Sequence, residues 1–275
     1  MRADIEIFVR HQEPVDPEWL DGRVRMTDED FRDNLKGQDP EKIQKNWESR
    51  TTGNPDLFSD PKARGNMVTA SPSGVIFQFT DYAAYSAVVH TAAMSANAYR
   101  DMRIASIGAV VQLSTGKYVA TKREGATHAN NMGSASCAGV ADIKEGKPDF
   151  EAALYKRLEE VLGIKRERVE EVGIVSVHSA GRPDFSGMIG YHVKVDAKAA
   201  DLKRNGAKKL LRPDEISEFV IEHFGVNKDM NADGAMCLMN ALGTEEFEET
   251  VLSLKARSNT KRDIVHGRLY DGDFS

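Results

Sequence analysis

Between Gly139 and Ile164 the chain reads GVADIKEGKPDFEAALYKRLEEVLGI, a glycine-containing loop that runs into an amphipathic helix. Phe150, Ala153, Leu154, Leu158, Val161 and Leu162 recur at helical spacing, which makes one apolar stripe. Pro148 and Asp149 suit the first turn, and Gly163 stands where a C-cap is expected. A stripe of this kind has to be covered by another layer of structure. Lys156, Glu159 and Glu160 lie away from the stripe at spacings of three and four residues. Adjacent carboxylates repel, so a site that holds them together offers them a cation; the other meaning of such a run is a solvated charged face.

The whole chain has 275 residues, of which 40% are hydrophobic and 29% charged, with a net charge of -6. That length accommodates one large core, or one domain with a substantial extension. Mild acidity gives no support to nucleic acid or an anionic membrane as the main partner. No apolar run approaches membrane-spanning length, and Met1-Arg2-Ala3-Asp4 lacks the order of a secretion signal. Cys137 and Cys237 are too few for a disulfide framework or a zinc site, so a cytoplasmic location is the expectation.

Alternation of Ile5, Ile7 and Val9 predicts a first strand, and Thr27-Asp28-Glu29-Asp30 has the form of a helix start. Asp39-Pro40 predicts the start of a second helix, with Ile43 and Trp47 on one face. Val75, Phe77 and Phe79 alternate as a strand; Thr80 suits the cap of a helix through Tyr85, Val88 and Ala92. From Ile104 a hairpin is expected, Ile107 to Leu113 returning through Thr115-Gly116 as Tyr118 to Thr121. Lys122 and Arg123 close that hairpin, either as cations beside a phosphate or as a solvated strand end. His128 lies in a loop. Two further strands are predicted around Val172–Val177 and Met188–Val195, with Asp184 and His192 as polar residues of that region. Helices then follow from Arg212-Pro213-Asp214-Glu215, from Asn231 and from Thr244. This order predicts a mixed sheet flanked by helices.

Two sets of residues carry a resemblance. Ala152-Ala153 and Glu159-Glu160, within a loop and helix, resemble the Nudix box, written Gly, five residues, Glu, seven residues, then Arg-Glu-apolar-x-Glu-Glu-x-Gly-apolar. In that alignment Lys147 stands at the first Glu, and Tyr155-Lys156 replace Arg-Glu; sliding by one residue to match Gly163 keeps Glu160 alone. Trp47-x-x-Arg50, Asn54-Pro55-x-Leu57-Phe58, Lys62-x-Arg64, Thr80-Asp81-Tyr82 and Asn97 resemble the N-terminal extension of a Nudix subgroup that hydrolyses UDP-sugars and GDP-mannose.

The resemblance implies a Nudix-like α/β/α sandwich over residues 104–256, an α+β extension over 1–103 that packs on it, and a polar tail over 257–275. It implies a hydrolase of a nucleoside diphosphate-linked substrate, most of all a nucleotide sugar, releasing a nucleoside monophosphate. Mg²⁺ or Mn²⁺ would be held by Glu159 and Glu160, with Glu215 as a candidate base. Lys122, Arg123, Lys156, Arg50 and Tyr82 would hold substrate, although Tyr82 serves equally as a core residue. Lys156 beside the metal opposes its binding, so the alternative is a catalytically inactive Nudix-fold module that binds a nucleotide or a protein. Dimers are common among such relatives, and a homodimer is one arrangement the resemblance allows.

Overall fold

A computed structural model describes residues 5–30, 40–53, 64–65, 69–71, 74–80, 104–122, 133–180, 186–203, 208–257 and 265–267. The core is a mixed sheet with helices on both faces, the α/β/α sandwich expected from the sequence. The strands are β1 (Ile5–Val15), β6 (Ile104–Leu113), β7 (Tyr118–Lys122), β8 (Gly133–Ser134), β9 (Cys137–Val140), β12 (Val169–Ala180), β13 (Ser186–Val195), β14 (Lys208–Leu211) and β15 (Val265–Gly267). Their order is β14-β7-β6-β13-β12-β1-β15, with β8 paired to β7 and β9 to β6.

Side chains alternate across the sheet, as period-two strands require. Ile107, Ala109, Val111 and Leu113 of β6 face one core with Phe150, Leu154, Leu158 and Leu162. Val110 of β6, with Tyr118 and Ala120 of β7, faces the other core. Helix α2 (Phe150–Arg157), continued by a wider turn over Leu158–Leu162, covers the first face. The second is covered by α3 (Ile216–Val220), α4 (Ala232–Met239) and α5 (Thr244–Arg257).

β1 pairs antiparallel with β12 and parallel with β15, so Ile5–Val15 and Val265–Gly267 both belong to the main sheet. The register shift between Ile7 and Val9 turns Ile5 and Ile7 to one face and Val9 to the other. Sequence spacing cannot show such a long-range pairing.

A second sheet holds β2 (Val24–Asp30), β3 (Arg64–Gly65), β4 (Thr69–Ser71) and β5 (Gly74–Thr80). The acidic run Thr27–Asp30 is therefore strand rather than a helix start. Val24 and Met26 pair in parallel with Val75 and Phe77, and that pairing outweighs the local capping signal. The helix expected from Asp39-Pro40 forms as α1 (Pro40–Gly53).

Candidate functional site

The site is built at a fork in the sheet. β6 and β7 pair at Val111↔Val119 and Gln112↔Tyr118 and then separate. The segment 133–140 fills the gap: β8 pairs with β7 at Thr121↔Ser134, and β9 with β6 from Ser106↔Val140 to Ala109↔Cys137. Ser136, fully buried, sits at the split. Its N–H donates to the Ala109 carbonyl at 3.1 Å, its Oγ accepts from the Val111 N–H at 2.8 Å, and its hydroxyl donates to the Val119 carbonyl. One small hydroxyl thus satisfies the backbone groups that the fork leaves open.

From β9 the chain enters a short hairpin, β10 (Ile143–Lys144) and β11 (Lys147–Pro148). Its turn places Glu145 at φ 52° and Gly146 at φ 77°, the pattern of a type I′ turn. The Asp149 N–H donates to the Asp142 carbonyl at 2.8 Å and closes the loop. The Asp149 carboxylate then accepts the Ala152 N–H at 2.9 Å and caps α2. At the far end Gly163 adopts φ 74°, where a residue with a Cβ is strained, and its N–H reaches the Glu159 and Leu158 carbonyls. β11 touches β2 and β3, so the second sheet lies beside this loop.

Of the two alignments that the resemblance allows, burial agrees with the second. Leu158 and Ile164 are buried, and Gly163 is the left-handed cap. These are the apolar, glycine and apolar positions of the pattern when it is slid to match Gly163. In that register Pro148 stands at the first Glu, Lys156 at the Arg, Arg157 at the following Glu and Val161 at the last Glu. Glu160 alone is retained.

Arg157 lies on the flank of the helix that meets β9. A Cβ on Gly139 would come within 2.3 Å of Arg157 Nε and 2.7 Å of its Cγ, so the arginine rests directly against the strand. Its Nη1 pairs with Glu160 Oε2 at 2.8 Å. Burial pushes the nearby Cys137 thiol up to about 12, with the charge of Arg157 acting in the opposite direction. Lys156, beside Arg157, is 4.0 Å from Asp142 Oδ2. Lys203 Nζ donates to the Glu160 carbonyl at 3.3 Å. On the opposite flank Arg166 stacks over Tyr155 at 4.4 Å and pairs with Glu151 at 2.5 Å.

Of the residues singled out in the sequence, Lys156, Glu159 and Glu160 share this exposed helix surface, and Glu160 is the one tied to Arg157. Lys122 ends β7, exposed, paired with Gly133 at the start of the inserted segment. Glu215 is not brought to the helix. It precedes Ile216, which packs in the core on the other face of the sheet. Its carboxylate accepts the Arg212 N–H at 2.7 Å and pairs with the Arg212 side chain at 3.3 Å. That backbone hydrogen bond, aided by the Arg212 charge, holds its pKa below the ordinary carboxylate range, which weakens it as a base. Arg123, His128, Tyr82, Asp184 and Asn97 lie outside the described residues; Arg50 lies on α1, with its side chain outside them. His192 is buried against Tyr118, 3.5 Å from its hydroxyl. Arg157 and Gly139 were missed by the sequence reading; the slid alignment was the signal that could have found the arginine.

The donor set of this helix does not fit a divalent metal. Magnesium takes one or two carboxylates plus waters and phosphates in octahedral array. Here Glu160 is engaged by a guanidinium, and Glu159, the neighbouring carboxylate, lies exposed in the wider turn that ends the helix. Among the described residues no group of three or more His, Cys, Asp or Glu side chains is arranged to hold a metal ion.

No family model and no curated protein matches the chain. Among solved structures, DR0079 from Deinococcus radiodurans is similar with TM-score 0.42 and 14% identity, covering 64% of this chain and 98% of that one. The MutT protein from Methanosarcina mazei Go1 gives TM-score 0.36 and 12% identity over 54% of this chain and 94% of its own. The Ap4A hydrolase of C. elegans gives 0.34 and 13% over 51% and 98%.

Proposed function

We propose that this protein binds a nucleoside diphosphate-linked compound, a nucleotide sugar foremost, at the surface formed by β9, the hairpin loop and α2. The observation that carries this reading is the half-buried Arg157 guanidinium laid on Gly139, with Lys156, next to it in the chain, reaching Asp142 at the start of the hairpin loop. A diphosphate needs such partners, and a planar guanidinium suits phosphate oxygens. The motifs between Trp47 and Tyr82 support a nucleotide sugar as ligand, and the second sheet's contact with β11 agrees with a pocket shaped from both parts. Lys122 and Arg123 would extend the cationic surface; Arg50 and Tyr82 would contact base or sugar.

The reaction proposed for the site is Nudix-type hydrolysis of the phosphoanhydride with release of a nucleoside monophosphate. Water attacks phosphorus, and the cations offset charge on the phosphoryl oxygens and the leaving phosphate. Glu160 is the carboxylate paired with Arg157, with Glu159 next to it in the chain. A second reading, a catalytically inactive module on the same fold, is favoured by one specific observation: the Arg157–Glu160 pair occupies the retained carboxylate. Either reading takes a small-molecule partner in the cytoplasm, with neither nucleic acid nor membrane as main partner. Among the described residues no helix is long and apolar enough to cross a membrane.

The test is a panel of UDP-sugars, GDP-mannose, ADP-ribose and dinucleotides, with Mg²⁺ or Mn²⁺ or with chelator, read by nucleoside monophosphate release and by thermal shift. Release lost in Glu160→Gln establishes the hydrolase. Stabilisation without release establishes the binding module. A panel with neither signal overturns the proposal.

A further inference from the structure

We infer that Arg157 is the diphosphate ligand of this site and stands in place of a divalent metal, so that anion binding here is metal-independent. The inference rests on the reading that the ligand is nucleoside diphosphate-linked, and it adds the group that holds the charge.

Three observations support it. First, the buried Leu158 and Ile164 and the left-handed Gly163 put a cation at the helix position where the box pattern has a carboxylate. Reversal of charge at a metal position removes a ligand and adds repulsion toward the ion. Second, Gly139 provides space for that cation. A Cβ there would lie 2.3 Å from Nε and 2.7 Å from Cγ, so the absence of a side chain at Gly139 lets the arginine lie directly on β9. Third, the guanidinium is held but not used up. Its side chain keeps 38% exposure, and among the described residues its one hydrogen bond runs from Nη1 to Glu160. Glu160, at 45% exposure, can turn away into water when a more highly charged anion arrives.

Glu160 thus acts as a stand-in for the ligand, competing with diphosphate for Nη1. The sign of its mutation then separates the two accounts. If Glu160 held a metal that held the diphosphate, Glu160→Gln would weaken binding; if Glu160 competes for Arg157, the same change strengthens it.

The experiment is calorimetry of UDP-glucose and inorganic pyrophosphate in EDTA and in Mn²⁺, with Mn²⁺ binding to the protein alone followed by electron paramagnetic resonance. Wild type, Arg157→Ala, Arg157→Lys and Glu160→Gln are compared, with thermal unfolding to show that each variant is folded. The expected result is UDP-glucose and pyrophosphate binding in EDTA, weaker by about tenfold in Arg157→Ala, as loss of a charge-assisted hydrogen bond implies. Arg157→Lys recovers part of it, and Glu160→Gln binds more tightly than wild type. Mn²⁺ binding that Glu160→Gln abolishes, with UDP-glucose bound only when Mn²⁺ is present, overturns the inference and leaves the functional reading standing. Failure of every nucleotide of the panel to bind under either condition removes the functional reading and the inference with it.

Discussion

The two faces of the main sheet solve the same packing problem with opposite chemistry. Under α2 the contact is apolar: Leu154, Leu158 and Leu162 are fully buried against β6 and β13 residues. The charged groups of that helix lie along its flanks and outer surface, among them the pairs Arg157–Glu160, Lys156–Asp142 and Glu151–Arg166. Under α3 to α5 the polar groups lie inward. Asn240 Nδ2 donates to Ser176 Oγ at 2.9 Å, and Ser176 Oγ is 3.0 Å from His178 Nδ1. Among the described residues His178 Nε2 and Asn240 Oδ1 have no partner. Burial alone drives the His178 pKa down to about 3. A histidine beside a serine and an asparagine has the makings of catalytic chemistry, yet this group has no exposure to solvent or substrate. In this protein strong titration shifts mark a sealed core, and the candidate site is the face where the charges are solvated.

Several changes test that contrast. Leu158→Ala should lower stability by about 3 kcal/mol, through lost burial and a cavity under α2. Urea unfolding measures this loss, and a loss under 1 kcal/mol would show that the α2 face is not close-packed. On the other face Gly190→Ala should cost about 1–3 kcal/mol, because the added Cβ would lie 2.3 Å from Ser176 Oγ and 2.6 Å from Asn240 Nδ2. The same urea titration reads it, and Ser176→Ala in the same chain should recover part of the cost by making room.

The pH dependence follows from the sign of the His178 shift. A folded-state value near 3, below the unfolded value of about 6.5, keeps the ring neutral in the native state. Stability is therefore full above the unfolded value and falls as pH drops from there toward 3, by about 1.4 kcal/mol per pH unit. His192, also lowered mainly by burial, acts in the same direction. His178→Asn should flatten the slope of urea midpoints between pH 7 and pH 4.5; an unchanged slope would place the acid sensitivity elsewhere. The smallest effect is expected in the hairpin loop, where Glu145 takes the left-handed conformation that glycine and asparagine tolerate. Glu145→Asn should stabilise by about 0.5–1 kcal/mol, measured by thermal unfolding.

Much of the fold was legible because its signals are local. The apolar stripe from Phe150 to Leu162, the cap at Asp149 and the glycine at 163 specify α2 and its closing turn by themselves. The β6–β7 hairpin follows from alternation and from Gly116, with φ 76° in its turn. The strand at Thr27–Asp30 was misread because a run of acids after a threonine looks like a helix start until β5 supplies its partner.

The candidate site was legible only in part. Glu159, Glu160 and Lys156 were found because helical spacing alone brings them to one surface, whereas the place of Glu215 depends on which face of the sheet a later helix covers. What the sequence determined by itself is the set of elements and their buried faces, since capping and periodicity act over a few neighbouring residues. Only the tertiary structure decided that β1 and β15 join the main sheet, that Ser136 fills the fork, and that Arg157 rests on Gly139. Each of these depends on groups far apart along the chain or on a gap that exists only after packing, and residue spacing carries no record of either.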